Sequence, residues 1–308
     1  MVDDSEIGTH MGVKTQRTVR GNDPDKAVIS VAMTGAMTMR SRCPSVPYTP
    51  QEIAEQAQEA REAGASVAHI HARTENGSPT FDADTYQEVY DEVRDHTDII
   101  INFSTGAIHE PLESRIEYVK EVQPDIAALN MGSMNYAKWS ESNEDYAFNM
   151  QFENPFSEIE EMLEAMNEAD VKPELECFDT GHIGSIRPLL KQGILEHPLH
   201  FSIIMGIVGG IPPTVNNLMN QVRQLPDDAN WQLIGIGYPN QWPLVSAALS
   251  MGGNVRVGVE DNYYINNDRD KAGNAELVEK AARMARDVCR EPATPDEAAD
   301  IMGFEPNR

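Results

Sequence analysis

From residue 27 onward, short apolar runs rich in β-branched residues alternate with longer segments whose apolar positions recur at helical spacing. The apolar runs predict strands over 27–33, 66–72, 98–103, 125–129, 174–178, 199–205, 231–236 and 254–259. Between and after them the pattern predicts helices over 50–63, from 82 or 84 to 95, and over 112–122, 155–169, 185–192, 215–224, 243–251 and about 274–288. The first helix has the clearest ends: Thr49 is a good N-cap, Glu52 completes a capping box, and Gly64 stops the helix.

Eight strand–helix units follow one another with no break in composition, which points to a single (β/α)8 TIM barrel over 25–308. A doubly wound open sheet is the alternative. It leads one to look for Gly-x-Gly-x-x-Gly after the first strand, and that motif is absent. Residues 1–24 are polar and acidic without an apolar signal core, and read as a disordered extension.

Charge narrows the function. Of 308 residues, 50 are acidic and 24 basic, a net charge of −26 spread along the whole chain. Such a field disfavours nucleic acid and anionic membranes as partners. A distributed acidic surface suits concentrated salt, where screening removes the self-repulsion, so halophilic adaptation is expected; an acidic protein of an ordinary cytoplasm is the alternative. Cys43, Cys177 and Cys289 form neither an even framework nor a Cys-x-x-Cys pair, which argues against disulfides and against a thiolate zinc site. No apolar run reaches the roughly 18 residues of a membrane span. The expectation is a soluble, cytoplasmic protein.

In a barrel the chemistry sits at the C-terminal ends of the strands. Those ends carry Thr34, His69 and His71, Ser104 and Thr105, Asn130 and Ser133, Glu176 and Asp179, then Arg256, Glu260 and Asp261. His69 and His71 are two apart on strand two and point to one face. Strands two and eight both flank strand one, so they lie on the order of 10 Å apart. Glu260 could then complete a two-His, one-carboxylate metal set of the zinc or non-haem iron kind; alternatively the imidazoles make core hydrogen bonds and Glu260 pairs with Arg256. Arg256 would keep Asp261 ionised and oriented, making it a candidate general base with Arg256 and Glu176 as its partners; the alternative is a salt bridge closing the barrel floor. Ser104-Thr105-Gly106 and Asn130-Met131-Gly132-Ser133 suit a substrate carboxylate, or are simple turns. The glycine-rich loop 206–213 could pass close to an acyl thioester, or be a tight turn. His182, His197 and His200 receive no role.

Taken together, Thr34-Gly35-Ala36, His69-Ile70-His71, Ser104-Thr105-Gly106, Leu129-Asn130-Met131-Gly132-Ser133, Pro173-Glu174-Leu175-Glu176, the glycines of 206–210 and Arg256-Val257-Gly258-Val259-Glu260-Asp261-Asn262 make a pattern. With it the chain resembles the β-keto acid cleavage enzymes from about residue 27 to 304. The resemblance implies a zinc-dependent barrel, a homo-oligomer and in particular a tetramer. It implies a reaction in which a β-keto acid and acetyl-CoA give acetoacetate and a new acyl-CoA. By position, His69, His71 and Glu260 would hold zinc, with manganese, iron or cobalt left open. Asp261 would take a proton from C2, held by Arg256 and Glu176. Ser104 and Ser133, with Asn135, would hold the substrate carboxylate. One departure stands out: members acting on 3-keto-5-aminohexanoate carry an acid after Thr-Gly-Ala, where this chain has Met37. A thioether cannot neutralise a buried ammonium, so an uncharged β-keto acid is expected. Other readings are a metal-dependent aldolase or hydrolase working without CoA, and a non-catalytic binding relative. The last would have no need of Asp261, Arg256 and Glu176.

Overall fold

Eight strands close on one another in the computed structural model, which describes residues 22–107, 110–140 and 142–307. In chain order they are β1 (Ile29–Ala32), β2 (Val67–Ile70), β3 (Ile100–Ser104), β4 (Ile126–Asn130), β5 (Lys172–Cys177), β6 (His200–Met205), β7 (Asn230–Gly235) and β8 (Asn254–Val257). Every pairing is parallel, each strand with the next and β8 with β1, which is a (β/α)8 barrel. The helices α1 (Pro50–Ala63), α2 (Ala83–His96), α3 (Leu112–Val122), α4 (Phe156–Glu168), α5 (Thr180–Gly184), α6 (Ile186–Gln192), α7 (Val215–Gln224), α8 (Gln241–Met251), α9 (Asn274–Asp287) and α10 (Pro295–Met302) account for the rest of the regular wall. The expected capping box on α1 is present, with Thr49 and Glu52 bonded reciprocally and Gly64 left-handed at the C-cap.

Besides α10, which lies beyond the last expected helix, three elements differ from the sequence expectation. The run at 27–33 is two pieces: Lys26–Ala27 pairs with Glu291–Pro292 outside the barrel, and only Ile29–Ala32 enters it. Between them the Val28 N–H donates to the side-chain oxygen of Asn254 at 2.9 Å, so the ladder is broken there. The helix expected at 185–192 begins earlier, as α5 and α6, because the Asp179 side chain caps the Gly181 N–H. Met134–Ser140 and Asp145–Phe152 form an antiparallel hairpin where no element was expected. The expected extension lies outside the described residues over 1–21. From Asn22 onward the chain belongs to the barrel: the buried Asn22 amide donates to the carbonyls of Trp231 and Gly252, and its oxygen accepts from the Trp231 N–H.

Side chains fill the barrel in layers. At the floor, Val67, Ile100 and Ile126 pack with Ala298, Ala299 and Met302 of α10. Above them lies a polar layer built on Glu174, which is fully buried. Its carboxylate accepts from Asn102, Ser202 and Gln232, and Ser30 donates to the Gln232 amide oxygen at 2.9 Å. Three donors offset much of the desolvation that a buried carboxylate suffers. They also tie β3, β5, β6 and β7 together beneath the strand ends. Among the described residues no helix is long and apolar enough to cross a membrane.

Candidate active site

The C-terminal ends of the strands surround a cavity of about 890 Å³ lined by His69, His71, Ser104, Asn130, Glu176, Arg256, Glu260 and Asp261, among others. β2 presents His69 inward in register with Ala32 of β1, and His71 follows just beyond the strand end. Glu260 arrives by a less direct route. β8 stops at Val257, and Gly258 turns the chain with φ +140, so close to β1 that a Cβ would stand 2.3 Å from the Ala32 carbonyl oxygen. The Glu260 N–H then donates to that carbonyl at 3.2 Å. Glu260 thereby lies across the end of β1, facing β2. Gly35, with φ +61, leaves room for it: a Cβ there would meet the Glu260 Cγ at 2.6 Å.

The three side chains suit a metal ion. Ligands about 2.0–2.1 Å from a tetrahedral ion stand roughly 3.4 Å apart. His71 Nε2 lies 3.4 Å from Glu260 Oε1, and His69 Nε2 lies 3.8 Å from Glu260 Oε2. One donor atom from each of the three falls within 4.8 Å of the others. Among the described residues Glu260 Oε2 is buried without a hydrogen-bond partner, which a carboxylate oxygen in a dry site does not tolerate cheaply. Burial, reinforced by Arg256, pushes His69 down to about 3, so its imidazole is neutral and its lone pair free. Burial alone would raise the Glu260 carboxyl, but the Arg256 guanidinium beside it holds it well below the usual carboxylate range.

Beside this triad stands a second one. Arg256 Nε reaches Asp261 Oδ2 at 3.0 Å, and its NH2 nitrogen reaches Asp261 Oδ1 at 2.8 Å, a two-pronged pair. The same nitrogen donates to Glu260 Oε1 at 3.1 Å, and NH1 lies 3.5 Å from Glu176 Oε1. One guanidinium thus orients three carboxylates. Burial raises the Asp261 carboxyl against the pull of Arg256, and burial with the repulsion of Glu174 raises Glu176. A buried acid held above its ordinary range and fixed in direction can accept a proton from carbon.

The remaining expected site residues divide. Met37, Ser104 and Gly106 line the cavity. Thr105 is fully buried and its hydroxyl donates to the Ala128 carbonyl, away from the cavity. Ser133 Oγ accepts from the Asn154 N–H at 2.7 Å, and Asn135 pairs with Gln151 on the exposed hairpin; neither lines the cavity. Asn130 does line it, and among the described residues both atoms of its buried side-chain amide lack a partner. The cavity also has features that the strand-end pattern missed. Tyr136 and Phe152 come from the hairpin, and the alternation Tyr146-x-Phe148-x-Met150-x-Phe152 was the period-two signal for it. Ile207, in the glycine-rich loop after β6, lines the same wall as Phe178 and Ile204. The outer mouth carries Asp82, Asp84, Glu110, Glu117 and Glu121.

The family described as beta-keto acid cleavage enzyme matches residues 26–304. A 3-keto-5-aminohexanoate cleavage enzyme of Fusobacterium nucleatum is 33% identical over 282 residues, 91% of this chain and 99% of the relative. A 3-dehydrocarnitine:acetyl-CoA trimethylamine transferase of Rhizobium meliloti is 35% identical over 291 residues, 87% of this chain and 93% of the relative. Among solved structures, ObcA with oxaloacetate superposes with a TM-score of 0.72 at 19% identity, over 84% of this chain and 67% of that one, a likeness of fold.

Proposed function

The chain belongs to the beta-keto acid cleavage enzyme family, and from that premise we propose that it uses acetyl-CoA to convert an uncharged β-keto acid into acetoacetate and a new acyl-CoA. The observation that carries the reading is the adjacency of the two triads. His69, His71 and Glu260 form one, and Arg256 grips Asp261 beside it while touching Glu260 itself.

A divalent metal, zinc by the resemblance and otherwise manganese, iron or cobalt, would be held by His69, His71 and Glu260 and would supply Lewis acidity at the keto oxygen. Asp261, kept in place by both prongs of Arg256, takes a proton from C2 of the keto acid. Glu176, on the other side of Arg256, limits how far the guanidinium can swing. Ser104 and Asn130 face the cavity from neighbouring strands and hold the substrate carboxylate. The C2 carbanion attacks the acetyl thioester carbon, and CoA leaves as thiolate. The thiolate then adds to the original keto carbon, and the C2–C3 bond breaks. Asp261 returns its proton to C2, which leaves as part of acetoacetate, while the substituent departs as acyl-CoA. The apolar wall of Phe178, Ile204 and Ile207 suits the pantetheine arm or the substituent. The net charge of −26 supports work in concentrated salt.

The test is a panel of β-keto acids, charged and uncharged, incubated with acetyl-CoA in high salt after the bound metal has been measured. Acetoacetate and acyl-CoA should appear in equal amounts, and only with acetyl-CoA present. Cleavage without acetyl-CoA would favour an aldolase or hydrolase. An Asp261→Asn protein with full metal content and undiminished turnover would remove Asp261 as the base.

A further inference from the structure

Met134–Ser140 leaves the end of β4 and turns back through Asp145–Phe152, so the hairpin stands at the cavity rim. It is fastened at two points. The Ala137 N–H donates to the Val208 carbonyl in the loop after β6 at 3.2 Å, and the Asn154 N–H donates to Ser133 Oγ at 2.7 Å. One polar ring of this anchored hairpin lines the cavity, that of Tyr136. It stacks on Phe148 with centroids 5.6 Å apart and planes 17° from parallel. It meets Phe152 at 5.8 Å, and Phe178 at 6.5 Å and 87°. Contact on several sides fixes the ring, and hence the direction of its hydroxyl.

That hydroxyl has no hydrogen-bond partner among the described residues, although the ring is packed and a packed tyrosine ordinarily finds one. It lies within the field of Glu260, Asp261 and Glu176; burial and those three negative charges push the phenol up to about 12, so it is a donor at any working pH. The other donors of the site face other groups, with Arg256 NH1 turned to Glu176 at 3.5 Å. Arg256 serves the carboxylates, Thr38 Oγ1 donates to the Glu260 carbonyl at 3.4 Å, and Ser104 and Asn130 are assigned to the substrate carboxylate. The remaining wall next to Tyr136 is Phe152, Phe178, Ile204 and Ile207, which carry no polar hydrogen.

We propose that Tyr136 is a catalytic hydrogen-bond donor to the carbonyl oxygen of the acetyl thioester. The inference rests on the reading of acetyl-CoA as co-substrate. When the C2 carbanion bonds to the thioester carbon, the C=O π pair moves onto oxygen, and the Tyr136 O–H bond points at the charge that develops there. When the pair returns, the C–S bond breaks and CoA leaves as thiolate. Tyr136 lends a dipole and keeps its proton throughout, and it takes no part in removal of the C2 proton.

The Tyr136→Phe protein separates these steps, because it keeps the aromatic packing and loses only the hydroxyl. Three quantities are measured beside wild type: kcat for acetoacetate formation, metal content, and exchange of the C2 hydrogens of the β-keto acid with D2O in the absence of acetyl-CoA. The expected result is a fall of about 100-fold in kcat, with metal content and melting temperature unchanged and C2 exchange within two-fold of wild type. Turnover within three-fold of wild type would overturn the proposal. So would a loss of C2 exchange as large as the loss of turnover, since Tyr136 would then act on the keto acid. A wild-type protein that forms no acetoacetate from acetyl-CoA would overturn the parent reading instead, and is told apart because the defect precedes any substitution.

Discussion

The hydroxyl of Thr34 and the backbone of His71 hold each other twice: Oγ1 accepts from the His71 N–H at 2.8 Å and donates to the His71 carbonyl at 2.9 Å. The β1–β2 ladder has ended at Ala32 and His69, so this side chain takes the place of the next pair of backbone bonds. It fixes the backbone from which the His71 imidazole projects. Thr34→Val keeps the shape and removes both bonds. We expect metal affinity to fall about 10-fold, in line with the loss of outer support elsewhere, at a stability cost of about 1–2 kcal/mol. Chelator competition reads the affinity, and a value equal to wild type would show that Thr34 does not position His71.

How much of this was legible in the sequence differs by element. Thr49, Glu52 and Gly64 bound α1 because caps are local chemistry, complete within one turn. His69 and His71 could be placed together because the period of a strand is fixed by its geometry. Glu260 was expected on the last strand, yet the strand ends at Val257 and a turn at Gly258 carries Glu260 over the end of β1. No local pattern encodes that path, since it depends on the Ala32 carbonyl, more than 200 residues away in sequence. Thr105 shows the same limit on a smaller scale. Its neighbour Ser104 faces the cavity, but one position on the side chain turns back to Ala128.

Arg73 is buried to 1% exposure with carbonyls as its main partners. It donates to Thr34 at 2.9 Å, Thr38 at 2.9 Å, Gly77 at 2.6 Å and also Gly35, so the loop over 34–38 hangs on one guanidinium. That loop packs against Glu260 through Gly35 and bonds it through Thr38. Lysine keeps the charge but cannot fork to carbonyls on two sides. Arg73→Lys should therefore lower kcat/KM about 10-fold or more and make the loop a protease-sensitive site. Wild-type resistance to limited proteolysis would count against the loop as the route of the effect.

His200 predicts how the fold responds to acid. It is buried in register with Glu174, with Lys172 two residues before that on the same strand. Burial pushes it down from 6.5 to about 4, assisted by Lys172 and opposed by Glu174. Between those two values the unfolded chain binds the proton and the folded one does not, so stability is full above 6.5 and is lost as pH falls toward 4. The expected loss from this residue is on the order of 3 kcal/mol. Urea unfolding of wild type and His200→Gln across that window should show a shallower pH slope in the variant; parallel slopes would remove His200 as a source.

A net charge of −26 makes folding itself sensitive to ionic strength. At about 0.01 M salt the screening length is roughly 30 Å, and at 1 M it is about 3 Å. Repulsion among the surface carboxylates is therefore expected to weaken steeply across that range. Melting temperature should rise from low to molar salt with sodium or potassium chloride alike. A melting temperature that stayed flat would separate the acidic composition from any adaptation to salt.

Met37 is half-exposed and lines the cavity two residues beyond Gly35, at the position where the resemblance implies an acid in members acting on 3-keto-5-aminohexanoate. The outer mouth is already acidic, at Asp82, Asp84, Glu110, Glu117 and Glu121, so a cationic substrate would be drawn toward the entrance. Attraction at a solvated mouth does not pair an ammonium that comes to rest beside a thioether, where it gives up part of its water without gaining a partner. Met37→Glu supplies that partner. Because the position is partly exposed, the gain is modest, about 1 kcal/mol or somewhat more. The expected outcome is a shift of about 10-fold in the kcat/KM ratio of 3-keto-5-aminohexanoate to its uncharged analogue, shrinking as salt is raised. The ratio isolates the ammonium, because both substrates share the metal set, Asp261 and the thioester step. A wild-type ratio already near one would show that the acidic mouth, and not residue 37, governs the choice of substrate.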